Sequence, residues 1–170
     1  MNRAVTRRSD SDASRERIAV VIPALNAAAT IGIQIAAVLA DRDERVELVL
    51  VNNGSTDETL DVMHTATAGN DRITIVTEPR RGVNLARNAG ISATDAPIVL
   101  FCDADDEIEP GWIDALASVL ENFDLAGGAL RSVSHDGRPC GRGHDGRRNP
   151  AAGQRVAQVA PQCGQTLVRR

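Results

Sequence analysis

Short apolar runs that end in polar clusters constrain the fold of this chain more than any other feature. The polar clusters occupy residues 23–26, 52–57 and 103–106, and each follows an uninterrupted apolar run. Such runs are typical of strands that are buried on both faces of a parallel sheet. We predict strands over residues 18–22, 46–51, 73–76, 97–102 and 124–130.

The segments between these strands have helical spacing of their apolar residues. They predict helices over residues 30–39, 84–92 and 110–122, and a further helix that ends near residue 66 with Ser55, Thr56 or Asp57 as its N-cap. Strands that alternate with helices predict an α/β fold with a mostly parallel sheet flanked by helices. Ligands of such sheets bind beyond the carboxyl ends of the strands, where the three polar clusters fall.

The charge distribution divides the chain into parts. Residues 1–130 carry 11 arginines and 21 acidic residues, whereas residues 131–170 carry eight arginines and two acidic residues. We expect a flexible leader over residues 1–17, one domain over residues 18–130, and a mostly disordered Arg/Gly-rich tail over residues 131–170.

Composition excludes several classes of protein. All 19 basic residues are arginine, so no mechanism that needs a lysine is available. No apolar run is long enough to span a membrane, and no apolar segment follows the basic residues at the N-terminus as in a secretory signal. Three cysteines without a Cys-x-x-Cys pair fit a reducing compartment, so we expect a cytoplasmic protein.

The polar cluster at residues 103–106 contains three aspartates, and Glu107 and Glu109 follow it. In an extended turn Asp103 and Asp105 point to the same side, an arrangement that suits one hard cation such as Mg²⁺ or Mn²⁺. The alternative is an acidic, solvated loop that caps the next helix. A haloacid-dehalogenase-like phosphatase and a receiver domain both fit poorly without a lysine, and the Gly-x-Gly-x-x-Gly of a dinucleotide-binding unit is absent.

Four motifs occur in a fixed order along the chain. They are IPALN at residues 22–26, VNNGSTD at 51–57, RGVNLARNAG at 81–90, and FCDADD at 101–106 followed by Pro110. Together they closely resemble the ordered motifs of family 2 glycosyltransferases, over about residues 18–130. The resemblance implies a GT-A fold, the Rossmann-like architecture of nucleotide-diphospho-sugar transferases, here incomplete at its C-terminus.

By this resemblance the chain would transfer a sugar from a nucleotide-diphosphate sugar to an acceptor hydroxyl, with Mg²⁺ or Mn²⁺ and usually with inversion. The backbone around Pro23, Leu25 and Asn26 would line the nucleobase and ribose, although the family often has an aromatic residue where Leu25 stands. Asn53 stands where many members place an aspartate against the base. Asn before Gly is also ordinary turn chemistry, so a purely structural role for Asn53 stays open.

The same resemblance assigns roles around the acidic cluster. Asp105 would coordinate the metal, and Asp103 would contact the ribose or the metal. Arg87 and Asn88 would lie on a helix near the donor pocket, while Asp106 would orient the loop or cap the following helix.

The resemblance ends before the segment that would supply a catalytic base. No Glu occurs after Glu121, and Asp136 and Asp145 lie in Gly/Arg-rich surroundings, so we assign no base. A chain shortened or shifted out of frame near residue 131 is one explanation, and a divergent member with a partner-supplied acceptor half is the other. A non-catalytic remnant that binds nucleotide is therefore the alternative function.

Partners follow from the same reasoning. We expect a nucleotide-sugar donor and a saccharide or lipid-linked acceptor, whereas the sequence does not indicate an oligomeric state. The basic tail has no interleaved aromatic residues, so we expect no nucleic-acid partner, and peripheral contact with the inner face of a membrane stays open.

Overall fold

The computed structural model of the chain describes residues 16–41, 43–127, 156–158 and 167–169. Strands and helices alternate along these residues, as the sequence predicts. The elements are β1 (Ile18–Ala24), α1 (Ile31–Ala40), β2 (Val46–Asn52), α2 (Thr59–Thr67), β3 (Ile73–Thr77), α3 (Val83–Ser92), β4 (Ile98–Phe101), α4 (Trp112–Leu120), β5 (Leu125–Gly127), β6 (Val156–Gln158) and β7 (Leu167–Arg169). Within the described ranges, no helix combines the length and the apolar composition needed to cross a bilayer.

The main sheet has five strands in the order β3-β2-β1-β4-β7. β1, β2, β3 and β4 run parallel, whereas β7 pairs antiparallel with β4. β1 lies at the centre, where Ile18 pairs with Val46 on one side and with Ile98 on the other. The predicted mostly parallel α/β sheet is therefore confirmed, and the parallel strands bring their carboxyl ends to one edge.

The two faces of β1 contribute to two apolar clusters. Ile18, Val20 and Ile22 belong to a large cluster that includes buried residues of α1, α2 and α4. Ala19 and Val21 belong to a smaller cluster on the opposite face, against α3. Because both faces of β1 are covered by helices, its continuous apolar run is explained by burial on both sides.

α3 approaches the sheet closely at Gly90. A Cβ atom added there would lie 2.3 Å from Val21 Cγ1 and 3.2 Å from Val51 Cγ2, so only glycine fits without movement. This contact sets the distance between the helix and strands β1 and β2.

The beginning of α4 differs from the prediction. Pro110 was expected as the first helical residue, but the helix begins at Trp112 and Gly111 precedes it with a left-handed φ of 80°. Trp112 is fully buried in the large cluster and anchors the start of α4 against the sheet. β5 extends only over Leu125–Gly127, while residues 128–130 of the predicted strand lie outside the described residues.

Two strands lie within the segment for which we expected disorder. β6 pairs in parallel with β5, and β7 forms the outer strand beside β4. Residues 156–158 and 167–169 are therefore ordered strands within this segment. The rest of that segment and residues 1–15 of the predicted leader lie outside the described residues.

Candidate functional site

The loops that follow β1, β2 and β4 border one cleft at the carboxyl edge of the sheet. Its volume is about 460 Å³. It is lined by Pro23, Ala24, Leu25, Asn26, Ala27, Ala29, Thr30, Asn53, Gly82, Val83, Asp103, Ala104 and Asp105. The position beyond the strand ends is the one that topology predicts for a ligand site in an open α/β sheet.

The loops after β1 and β2 are joined by reciprocal hydrogen bonds. The backbone amide of Asn26 donates to Ser55 Oγ at 3.1 Å, and the backbone amide of Thr56 donates to the side-chain oxygen Oδ1 of Asn26 at 2.8 Å. Asn26 has a left-handed φ of 52°, a conformation that asparagine tolerates better than most residues. The side chain of Asn26 therefore joins two loops of the cleft.

Asp57 also connects these two loops, although it does not itself line the cleft. Its carboxylate accepts the Ala28 amide at 3.2 Å through Oδ2, and the Thr59 amide at 3.1 Å through Oδ1. Hydrogen bonds from Thr59, above all from its hydroxyl, hold the pKa of the Asp57 carboxyl below its ordinary value. The N-cap prediction is wrong, because Glu58 and none of the three expected residues is the N-cap of α2. Asp57 nevertheless accepts the amide of Thr59, the first residue of the helix.

Asn53 is buried at the end of β2, with 3% of its surface exposed. Its Nδ2 donates to the Glu78 carbonyl at 2.9 Å and to the Arg80 carbonyl at 2.7 Å. Its Oδ1 accepts the Gly82 amide at 2.8 Å. The side chain thus binds the segment between β3 and α3 at three points.

That segment is also held by an internal ion pair. Glu78 Oε1 accepts both the backbone amide and Nε of Arg80 at 2.9 Å, and Oε2 accepts Nη2 at 2.8 Å. These hydrogen bonds lower the pKa of Glu78 to about 2. Glu78 is a residue that the sequence reading missed, since Glu-Pro-Arg-Arg has the composition of an exposed charged loop.

The acidic element follows β4. Asp103 and Asp105 both line the cleft, as does the buried Ala104 that lies between them in the sequence. Arg87 Nη2 donates to Asp103 Oδ1 at 3.2 Å, and the guanidinium carbon lies 5.7 Å from the centre of the Phe101 ring. Arg87 is therefore next to the cleft through Asp103.

The donor set fits one type of cation better than others. Among the described residues no group of three or more His, Cys, Asp or Glu side chains forms a complete metal cage. Two aspartates beside an open cleft instead suit Mg²⁺ or Mn²⁺, which take only one or two carboxylates when a substrate phosphate supplies further oxygen ligands.

Most predicted site residues are brought together. Pro23, Leu25, Asn26, Asn53, Asp103 and Asp105 all line the cleft. Asn88 is exposed on α3 and does not line it, although its carbonyl accepts Ser92 Oγ within the helix.

The sequence reading missed part of the lining. Ala29, Thr30 and Val83 contribute to the cleft, and they belong to segments that flank recognised motifs. Leu25 and Val83 are 44% and 50% exposed, so two aliphatic side chains offer apolar surface at the rim. The position of Ala29, Thr30 and Val83 beside or within the motifs was the sequence feature that could have predicted their place in the cleft.

The mostly parallel sheet flanked by helices has the GT-A fold of the solved glycosyltransferase structures to which the chain is similar. The chain belongs to glycosyl transferase family 2, whose model matches residues 19–164. This match continues past residue 130, where the motif resemblance ends.

Relatives and solved structures agree with this assignment. The chain is 37% identical over 125 residues to the succinoglycan biosynthesis protein ExoU of Rhizobium meliloti, which covers 69% of this chain and 36% of ExoU. Glucosyl-3-phosphoglycerate synthase from Mycobacterium tuberculosis, in complex with uridine diphosphate, is 27% identical with a TM-score of 0.61, over 72% of this chain and 47% of that one. A complex of the same synthase with Mn²⁺, uridine diphosphate and glucosyl-3-phosphoglycerate gives a TM-score of 0.60 at 26% identity, over the same shares. The chain thus spans about a third of the length of curated relatives.

Proposed function

We propose that the cleft binds a nucleotide-diphosphate sugar together with Mg²⁺ or Mn²⁺, and that the chain transfers the sugar to an acceptor hydroxyl with inversion of the anomeric carbon. The observation that carries this proposal is the shared cleft of Asp103 and Asp105 with Asn53 and the loop at Pro23. The structurally similar synthase from M. tuberculosis in complex with Mn²⁺ and uridine diphosphate supports it.

The cleft offers different chemistry at its two sides. The loop with Pro23 and Asn26, together with exposed Leu25 and Val83, provides backbone polar groups and apolar surface for a nucleobase and ribose. The aspartates on the other side provide negative charge, which by itself would repel a diphosphate. That repulsion requires a cation between the aspartates and the phosphates.

Asp105 is the proposed principal ligand of the cation. Asp105 is exposed at the cleft and makes no ion pair among the described residues, whereas Asp103 already contacts Arg87. Bound there, the cation would act as a Lewis acid that neutralises the diphosphate leaving group. Arg87 would hold Asp103 in place and limit the excess negative charge of the site.

The cleft offers no further carboxylate, among the described residues, that could activate an acceptor hydroxyl. Within the described ranges, Asp103 and Asp105 are the only carboxylates that line the cleft, and both are assigned to the donor side. This observation favours, as the alternative function, a domain that binds a nucleotide sugar without transferring it. If the chain does transfer the sugar, we propose a saccharide or a lipid-linked molecule as the acceptor.

Replacing Asp105 tests the binding part of the proposal. Asp105→Asn should weaken Mn²⁺-dependent binding of the donor nucleotide by at least about tenfold, because it removes the negative charge from the cation ligand. Calorimetric titration with UDP and with GDP, each with Mn²⁺ and with EDTA, measures this loss. Glu107→Gln is the matched control, since it removes the same charge from an exposed position of the same loop that does not line the cleft. Unchanged affinity in Asp105→Asn would refute the metal assignment.

A separate assay distinguishes transfer from binding alone. The purified chain is incubated with labelled nucleotide sugars, Mn²⁺ and a panel of acceptors. Metal-dependent transfer would exclude the non-catalytic alternative, and the anomeric configuration of the product would test inversion. Nucleotide binding without transfer or donor hydrolysis across the panel would favour the alternative.

We also propose a cytoplasmic location, at the inner face of the membrane if the acceptor is lipid-linked. The odd number of cysteines supports a reducing compartment. Cell fractionation tests this proposal, and recovery of the native protein from an extracytoplasmic fraction would contradict it.

A further inference from the structure

We infer that Asn53 is a positioning residue, whose side-chain amide holds the segment Glu78, Pro79, Arg80, Arg81 and Gly82 against β2 and thereby sets the wall of the cleft at Gly82 and Val83. The link from this wall to ligand binding rests on the proposed function. The positioning itself depends only on the hydrogen bonds of the protein.

The three contacts of Asn53 use both kinds of atom in its amide. Both N–H groups of Nδ2 donate to carbonyl oxygens, at 2.9 Å to Glu78 and 2.7 Å to Arg80. Oδ1 accepts the Gly82 amide at 2.8 Å. A primary amide has two donors on its nitrogen, so no N–H of Asn53 remains for a ligand.

An aspartate at this position could not make the same contacts. An ionised carboxylate only accepts hydrogen bonds, so its oxygens would face the carbonyl oxygens of Glu78 and Arg80. Asn53 is nearly fully buried, and a charge brought so close to two unpaired carbonyl groups is costly. The segment is therefore matched to an amide, although the family resemblance leads one to expect an aspartate here.

The segment has a second anchor that does not involve the Asn53 side chain. The Glu78 amide donates to the Asn52 carbonyl at 2.9 Å, and the Glu78 carboxylate binds Arg80. Gly82, at the other end, has a φ of 147° and leads directly into α3. Loss of the Asn53 amide should consequently release the Gly82 end, while the Glu78 amide stays bound.

Hydrogen exchange measured by NMR without ligand tests this separation. In Asn53→Ala, exchange of the Gly82 amide should accelerate by about tenfold or more because its acceptor is removed. In Asn53→Asp it should accelerate because the carbonyl oxygens of Glu78 and Arg80 repel the carboxylate that replaces that acceptor. Exchange of the Glu78 amide should stay within about twofold. Asn53→Ala removes all three hydrogen bonds of the Asn53 side chain without introducing a charge. It therefore keeps the test valid if the aspartate variant folds poorly.

Asn70→Asp is the matched control. Asn70 Oδ1 accepts the Arg72 amide at 3.1 Å, and Asn70 does not line the cleft, so a carboxylate can replace its amide oxygen as acceptor. This variant should leave the exchange of the Gly82 amide unchanged.

Titration with UDP and Mn²⁺ then tests the connection to the ligand. Affinity in both Asn53 variants should fall by about tenfold, because only a fraction of molecules keeps the wall in place. Unchanged exchange at Gly82, or equal acceleration at Glu78 and along β2, would overturn the positioning role. Unchanged affinity with accelerated Gly82 exchange would overturn the effect on the cleft. If the unmodified chain binds neither UDP nor GDP, the proposed function fails, whereas the exchange data still decide whether Asn53 positions the segment.

Discussion

The close approach of α3 to the sheet makes Gly90 a sharp test of the packing. An alanine methyl group there would lie 2.3 Å from Val21 Cγ1 and 3.2 Å from Val51 Cγ2, so a buried valine or the whole helix must move. Such overpacking costs about 1–3 kcal/mol. Replacing glycine by alanine inside a helix regains about 1 kcal/mol of helix propensity. We therefore expect Gly90→Ala to lower the free energy of unfolding by up to about 2 kcal/mol.

The measurement is urea unfolding with linear extrapolation, and Gly32→Ala is its control. Gly32 lies in α1, where an added Cβ would meet only Val62 Cγ1, at an ordinary 3.5 Å. Gly32→Ala should therefore gain about 0.5–1 kcal/mol from helix propensity alone. Gly90→Ala as stable as Gly32→Ala would refute the steric argument.

A double variant identifies the atom responsible. Val21→Ala removes the Cγ1 atom that an alanine at position 90 would meet, so it should relieve part of the cost of Gly90→Ala. The two substitutions should then be non-additive by about 1 kcal/mol in the stabilising direction. Additive effects would show that the contact with Val21 does not limit the position of α3.

Two further predictions concern the ion pairs around the cleft. Arg87→Met should cost only about 1 kcal/mol of stability because the pair with Asp103 is half exposed, with side-chain exposures of 33% and 48%. It should nevertheless weaken Mn²⁺-dependent UDP binding, and a titration with unchanged affinity would contradict this role. The pKa of Glu78 is lowered to about 2 by Arg80, so the pair contributes stability above pH 4.5 that is lost as pH falls from 4.5 towards 2. Glu78→Gln should remove this part of the acid sensitivity in urea unfolding at a series of pH values, and an unchanged pH profile would argue against it.

The strands and their order along the chain were readable from the sequence because buried parallel strands are continuously apolar. β1 was predicted over residues 18–22 and extends over Ile18–Ala24, a difference within the usual uncertainty of element ends. The beginning of α4 was misplaced because proline favours the first helical turn, whereas the positive φ of Gly111 forces the chain to turn before the helix begins. β6 and β7 were missed because each is three residues long and depends on a partner strand distant in sequence.

The location of the site was predictable, but the contacts within it were not. Polar clusters after buried strands identified the edge of the sheet, since parallel topology brings those strand ends together. The sequence left open whether Asn53 is a turn residue or a ligand contact. Its partners are backbone atoms of residues 78–82, and only the pairing of β2 with β3 places them beside it. Because every residue has the same backbone carbonyl group, contacts with backbone atoms cannot be predicted from the types of the partner residues.

The reciprocal bonds between the loops after β1 and β2 affect how this scaffold can be engineered. Asn26 and Asp57 each serve both loops, so transplanting one loop from a relative would leave donors and acceptors of the other without partners. Chimaeras that exchange both loops as a unit should fold, while chimaeras with a single exchanged loop should lose the shape of the cleft. A change in which nucleotide sugar such a scaffold prefers would consequently require coordinated replacements in the loops after both β1 and β2.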